Sequence, residues 1–252
     1  MVNFVGAGPG AADLITVRGK TLIENADIII YAGSLVNPEL LDFAKKSPEV
    51  YNSAAMTLEE VTEIMIYAEK NGKNVVRLHT GDPSVYGAVK EQMDILDKYG
   101  IEYEVCPGVS SVFGAASSLK AEYTLPGVSQ SLIITRMEGR TPVPEKEDIA
   151  LLASHNASMV IFLSAGMLDK LSERLIKGGY KEDTPAVIVY KATWSDEKIV
   201  RTTVCNLAKS AYENKIKKTA LIIIGDFLKG NYKRSELYNP LFTHEFRKGA
   251  EN

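Results

Sequence analysis

Apolar residues along this chain follow two rhythms. Short unbroken runs have the length and content of buried strands, while other stretches set apolar residues three and four apart, the period of a half-buried helix. VNFV at 2–5 predicts a first strand, ending in the loop GAGPG at 6–10. A helix is expected over 16–25, a buried strand in ADIIIY at 26–31, and a helix start at Asn37-Pro38, with proline in the first turn. Residues 49–51 predict a short strand. Thr57 with Glu60 three residues on reads as a capping box. It opens a helix with Val61, Ile64, Met65 and Ala68 on one face, Met65 and Tyr67 being taken as packing residues, and Gly72 ends it. Val75-Val76 starts a strand that runs into RLHTGDPSVYG, and a helix resumes near Gly87 and lasts to about Tyr99. Residues 101–105 alternate like a strand, CPGVSS at 106–111 turns, and 112–119 is a helix rich in small residues.

Residues 121–130 lack periodicity and separate a lobe at 1–120 from a second at 131–228, with a polar, aromatic tail at 229–252. The second lobe predicts strands at 132–135, 159–163, 186–190 and 220–224, with a hairpin return at 199–204. Helices are expected at 147–155, 168–178 and 207–216. Alternation of strand and helix through both lobes gives an α/β class.

Composition narrows the function classes. The 252 residues are 45% hydrophobic and 24% charged, which fits a soluble globular chain. A net charge of -3 disfavours broad electrostatic binding of nucleic acid. No charged n-region precedes the first strand, and no apolar run approaches ~18 residues, so neither a signal peptide nor a membrane span is expected. Cys106 and Cys205 read as buried free thiols, and His79, His155 and His244 have no metal-ligand spacing. The expectation is a cytoplasmic protein with no metal, no membrane and no nucleic-acid partner.

The candidate chemistry lies at strand ends. GAGPG is not the G-x-G-x-x-G of dinucleotide sites: Pro9 stands where a backbone N–H is needed, and the second strand ends in YAGS with no acid for a ribose. Thr80, Gly81 and Asp82 follow the central strand, at the edge where α/β sheets hold ligands. Gly81 permits close backbone approach. In TRMEGRTPVPE at 135–145, Arg136 and Arg140 suit bidentate binding of carboxylates.

Taken together, GAGPG, YAGS, TGDPSVYG and PGVSS, in this order, resemble the tetrapyrrole methylase family. Further stretches extend the likeness from Val2 to about Pro240: YAGSLVNPELL, SAAMTLEEV, EYTLPGVSQS, TRMEGRTPVPE, IFLSAGM and RSELYNP. The resemblance implies two α/β lobes with the active site in the cleft between them, S-adenosylmethionine as methyl donor, S-adenosylhomocysteine as product, and a homodimer. Within the family, TRMEGRTPVPE and YAGSLV point to the members that methylate carbon 11 of a precorrin on the way to cobalamin. The cofactor positions it implies are Pro9, Thr80, Gly81, Asp82, Val85, Ser110, Ser111, Leu163, Ala192, Thr219 and Ala220. This chain has Thr80 where some relatives have glycine, Ser110-Ser111 where Thr-Ala is frequent, and Leu163 where methionine is frequent. A tetrapyrrole substrate bears acetate and propionate groups, which assigns Arg136 and Arg140, with Tyr86, to substrate, and Lys191 after them as a further cation.

The implied reaction is displacement at a sulfonium methyl by a ring carbon, so positioning and water exclusion dominate. No catalytic residue is assigned: Asp82, Tyr86 or a bound water can each accept the proton that leaves the ring carbon. Three alternatives stay open. They are another precorrin or uroporphyrinogen methyltransferase, an RNA or protein methyltransferase on this scaffold, and a non-enzymatic nucleotide-binding module using GAGPG.

Overall fold

The structure, a computed structural model, describes residues 1–249. The chain forms two compact units, Met1–Ala115 with Lys191–Glu197, and Ala116–Tyr190 with the chain from Lys198 on.

In the first unit the order is β1 (Val2–Gly6), α1 (Val17–Glu24), β2 (Ile28–Tyr31), β3 (Glu49–Asn52), α2 (Leu58–Lys70), β4 (Val75–His79), α3 (Lys90–Lys98) and β5 (Tyr103–Cys106), with α4 (Ser111–Leu119) crossing the boundary. The strands make a five-stranded sheet, β3-β2-β4-β1-β5, parallel throughout. Successive side chains of β1 serve opposite faces. Val5 packs with Ile23 of α1, while Val2 and Phe4 pack with Met65 of α2 and Leu96 of α3. Burial on both faces is why β1 and β2 read as near-continuous apolar runs. The path from β1 to β2 crosses β4, and the path from β4 to β5 crosses β1 the other way. The loops that follow β4, β1 and β5 are therefore neighbours at the switch point of the sheet, where open α/β sheets bind ligands.

The second unit contains β6 (Leu132–Arg136), α5 (Ile149–Ala153), β7 (Ser158–Phe162), α6 (Leu168–Gly178), β8 (Pro185–Tyr190), β9 (Lys198–Thr203), α7 (Leu207–Glu213) and β10 (Ala220–Ile224). Its sheet runs β6-β7-β10-β8-β9. β6 and β7 are parallel, and the other pairings are antiparallel. Ile149 of α5, Leu171 and Leu175 of α6 and Leu207 of α7 bury against Ile161, Ile188 and Ile222 in one core. The expected hairpin return is β9, paired with β8 from Pro185↔Thr203 to Tyr190↔Lys198. In the tail, Lys233 N–H donates to the Pro126 carbonyl at 3.0 Å, fastening it to the segment 121–130.

Several expectations are corrected. The helix expected from Gly87 begins only at Lys90, because Tyr86 and Ala88 hold left-handed φ values of 55 and 48°, which a right-handed helix excludes. α5 is shorter than 147–155, since Asp148 is its N-cap, accepting from Ala150 N–H at 2.8 Å. α7 stops at Glu213, ahead of left-handed Lys215. Tyr67 is 52% exposed beneath the Lys73 ammonium, while Met65 is buried as expected. Cys205 is exposed, not buried, because it sits on the short turn between β9 and α7; Cys106 is buried. Among the described residues no helix is long and apolar enough to cross a membrane.

Candidate active site

The loops after β1, β4 and β5 touch through their backbones. Gly81 N–H donates to the Gly8 carbonyl at 2.9 Å, and Gly8 N–H to the Gly81 carbonyl at 3.2 Å. A Cβ on Gly6 would lie 2.5 Å from Gly108 Cα and 2.6 Å from the Gly81 carbonyl oxygen. Gly6 is therefore required by closeness and Gly81 by its φ of 61°, while Gly8, with a φ of 79°, is crowded by the Leu14 carbonyl as well. The Asp82 carboxylate clamps two of these loops. Its Oδ2 accepts from Gly108 N–H at 2.9 Å, and its Oδ1 accepts from Ser84 N–H at 2.9 Å and from the Ser84 hydroxyl. Burial alone would raise this carboxyl. The hydrogen bonds from Ser84 and Gly108 together outweigh burial and hold it below its ordinary 3.8.

Next to this cradle, Thr80 Oγ1 is buried without a hydrogen-bond partner. An unsatisfied buried hydroxyl costs about 1–3 kcal/mol, so a polar ligand atom at this edge fits the residues present. His79 Nε2 is unpartnered as well, with its ring against Phe4. Burial pushes the imidazole down to about 3, helped by the charge of Arg77. The Arg77 guanidinium, lowered to about 10 by burial, donates to Gln92 Oε1 at 3.1 Å and to the Ile30 carbonyl at 3.3 Å. Gln92 in turn donates to the Ala88 carbonyl at 3.0 Å. Arg77 and Gln92 thus brace the left-handed turn that presents Tyr86, which is 47% exposed. Val85 N–H closes the same turn on the Asp82 carbonyl.

Pro9 packs against α4: a Cβ on Gly114 would lie 2.6 Å from Pro9 Cβ. The small residues after PGV therefore make room for the first loop. The buried Ser110 accepts at its carbonyl from Phe113 and Gly114 N–H, and Ser110 Cα and Ser111 N both face Gly81. Ala192 is buried in the segment that joins this unit from between β8 and β9. Of the expected cofactor positions, Pro9, Thr80, Gly81, Asp82, Val85, Ser110, Ser111 and Ala192 belong to the first unit.

Leu163, Thr219 and Ala220 belong to the second unit. The register of Ile222 with Ile161, continued two residues, sets Ala220 opposite Leu163, and Ala220 also pairs with Tyr190. All three thus share one sheet edge. Leu163 and Thr219 have left-handed φ values of 53 and 57°, strain of a kind that collects at ligand sites. Arg136 lies at the same edge, opposite Phe162. Its guanidinium donates to the Pro142 carbonyl at 2.7 Å, the Thr141 carbonyl at 3.2 Å and the Met137 carbonyl at 3.5 Å, so it ties down its own loop. Arg140, on that loop, lines a cavity of about 480 Å³ with Lys170 and Arg174 of α6. Arg174 pairs with Asp148 at 2.7 Å, and Lys191, in the first unit, pairs with Asp196 at 2.7 Å. Lys170 and Arg174 escape a reading of the sequence because only the packing of α6 under the loop brings them to Arg140.

A parallel sheet with a glycine-lined cradle at its switch point, and a mixed sheet with strained backbone along one edge, define a two-unit α/β protein built to hold a small ligand. The family model of the Tetrapyrrole (Corrin/Porphyrin) Methylases matches residues 1–208, and the chain belongs to that family. It is 58% identical over 248 residues to the cobalt-precorrin-4 C(11)-methyltransferase of Methanocaldococcus jannaschii, covering 98% of this chain and 96% of the relative. It is 33% identical to the S-adenosyl-L-methionine-dependent uroporphyrinogen III methyltransferase of Methanosarcina barkeri, covering 89% of this chain and 91% of that one. Among solved structures, the X-ray structure of a cobalamin biosynthetic enzyme, cobalt precorrin-4 methyltransferase, is similar with a TM-score of 0.88 and 48% identity, over 90% of this chain and 95% of that one.

Proposed function

We propose that the chain transfers a methyl group from S-adenosylmethionine to carbon 11 of cobalt-precorrin-4. The observation that carries this reading is the end-to-end likeness to a relative named for that reaction. The donor is supported by the relative named as S-adenosylmethionine-dependent, and by the buried, unpartnered Thr80 hydroxyl beside the glycine cradle.

When bound, S-adenosylmethionine supplies a methyl group on a sulfonium, open to displacement by a carbon nucleophile. The chain binds, orients and excludes water, and proximity of this kind is worth on the order of 7–11 kcal/mol. Gly6, Gly8, Gly81 and Gly108 offer backbone free of side chains. Pro9, Val85, Ser110, Ser111 and Ala192 line the donor, Thr80 gives it a hydroxyl, and Asp82 holds the loops in register. Arg140, Lys170 and Arg174 take substrate carboxylates, with Arg136 holding their loop and Tyr86 meeting the macrocycle. No side chain is assigned as general base. A cytoplasmic homodimer completes the reading, the homodimer on the resemblance to the family and the cytoplasm on the composition of the chain.

Isothermal titration tests the donor assignment. S-adenosylhomocysteine is expected to bind at a single site per chain, and NAD is expected to give no heat. The reverse preference would overturn the reading.

A further inference from the structure

The segment Lys191–Glu197 is braced from within. Lys191 and Thr193 hold left-handed φ values of 48 and 68°, and the second is rare for a β-branched residue. Thr193 N–H donates to the Glu197 carboxylate at 2.6 Å, Trp194 N–H to the Lys191 carbonyl at 3.0 Å, and Glu197 N–H to the Trp194 carbonyl at 3.1 Å. The Lys191 ammonium pairs with Asp196 and lies over the Trp194 ring, 5.1 Å from its centroid.

Outward, this strap meets the first loop residue by residue. Thr193 Oγ1 accepts from Ala11 N–H at 3.0 Å. The Thr193 methyl shares Gly114 with Pro9: a Cβ there would lie 3.3 Å from Thr193 Cγ2. The Trp194 ring covers Gly10, where an added Cβ would overlap the indole and lie 2.8 Å from the Ala192 carbonyl oxygen. Asn37 Nδ2 holds the Gly10 carbonyl at 2.9 Å. Gly10 has no positive φ, so backbone freedom does not explain a glycine here; the indole does.

We propose that Trp194 is a positioning residue for the donor-binding loop, its indole standing where a side chain at Gly10 would be and fixing residues 9–11 for the ligand. This rests on the donor assignment above. It makes the strap, rather than the glycines alone, a determinant of affinity for adenosyl ligands.

Trp194 is the sole tryptophan of the chain, so its emission reports on this contact. The full chain is titrated with S-adenosylhomocysteine, following heat and tryptophan emission together. The expected result is an emission change with the same midpoint as the heat. Trp194→Ala is expected to weaken binding by about tenfold, the scale of a contact pair, while Trp194→Phe, which keeps a ring over Gly10, stays within about threefold. Gly10→Ala is expected to weaken binding, and Trp194→Ala added to it restores part of the loss, as direct contact requires and general loosening does not. Heat of binding with silent emission, or Trp194→Ala binding like the unaltered chain, overturns the inference alone. No heat with the unaltered chain overturns the donor assignment and the inference with it.

Discussion

A buried imidazole that stays neutral gives this protein an acid-side weakness. His79 is folded away with a value of about 3 against an ordinary 6.5. Its contribution to stability is complete above 6.5, where neither state binds the proton, and is lost as pH falls below 6.5, because the unfolded chain then takes up a proton that the folded chain refuses. Stability from urea unfolding is expected to fall between pH 6.5 and 5 by about 1 kcal/mol per pH unit, a slope that His79→Leu removes. Asp82 was legible as a polar group at a strand end, but its clamp on the loop after β5 was not, because its partner Gly108 lies 26 residues on. Asp82→Ala is expected to weaken S-adenosylhomocysteine binding by about tenfold through loss of charge-assisted hydrogen bonds, read by calorimetry on variant that melts as a folded protein. TRMEGRTPVPE gave both arginines equal standing in the sequence. The structure separates them: Arg136 is tied to its own loop and Arg140 lines the cavity. Arg140→Ala is expected to raise KM for the tetrapyrrole several-fold and leave S-adenosylhomocysteine affinity unchanged; equal loss of both would remove Arg140 from the substrate.

At the scale of elements, local chemistry was the legible part. The capping box at Thr57 and Glu60 forms as read, with Glu60 N–H donating to Thr57 Oγ1 at 3.2 Å and Thr57 N–H to the Glu60 carboxylate at 2.7 Å. Thr57→Ala is expected to cost about 1 kcal/mol, measured by chemical denaturation, with donor binding untouched. Buried parallel strands were legible because apolar runs bounded by glycine have few other uses. The delayed start of α3 was not, because left-handed Tyr86 and Ala88 are held by Arg77 and Gln92 rather than by their own preferences. Strain imposed by tertiary contacts leaves no periodic trace in the chain. The same holds for Thr193, held by Ala11 and Glu197.

Across the whole molecule, the order of strands and helices gave the class, and the ordered motifs gave the family, because the glycine loops answer to a packing that only glycine satisfies. What stayed hidden was long-range: a segment between β8 and β9 that joins the first unit, and cations on α6 that reach the loop of Arg140. The most direct test of the proposed activity is incubation with cobalt-precorrin-4 and S-adenosylmethionine carrying an isotopically labelled methyl group, with the product read by NMR. A single new labelled methyl is expected, on carbon 11 of the macrocycle. Label on another ring carbon, or no transfer by a chain that binds both donor and tetrapyrrole, would contradict the proposed activity.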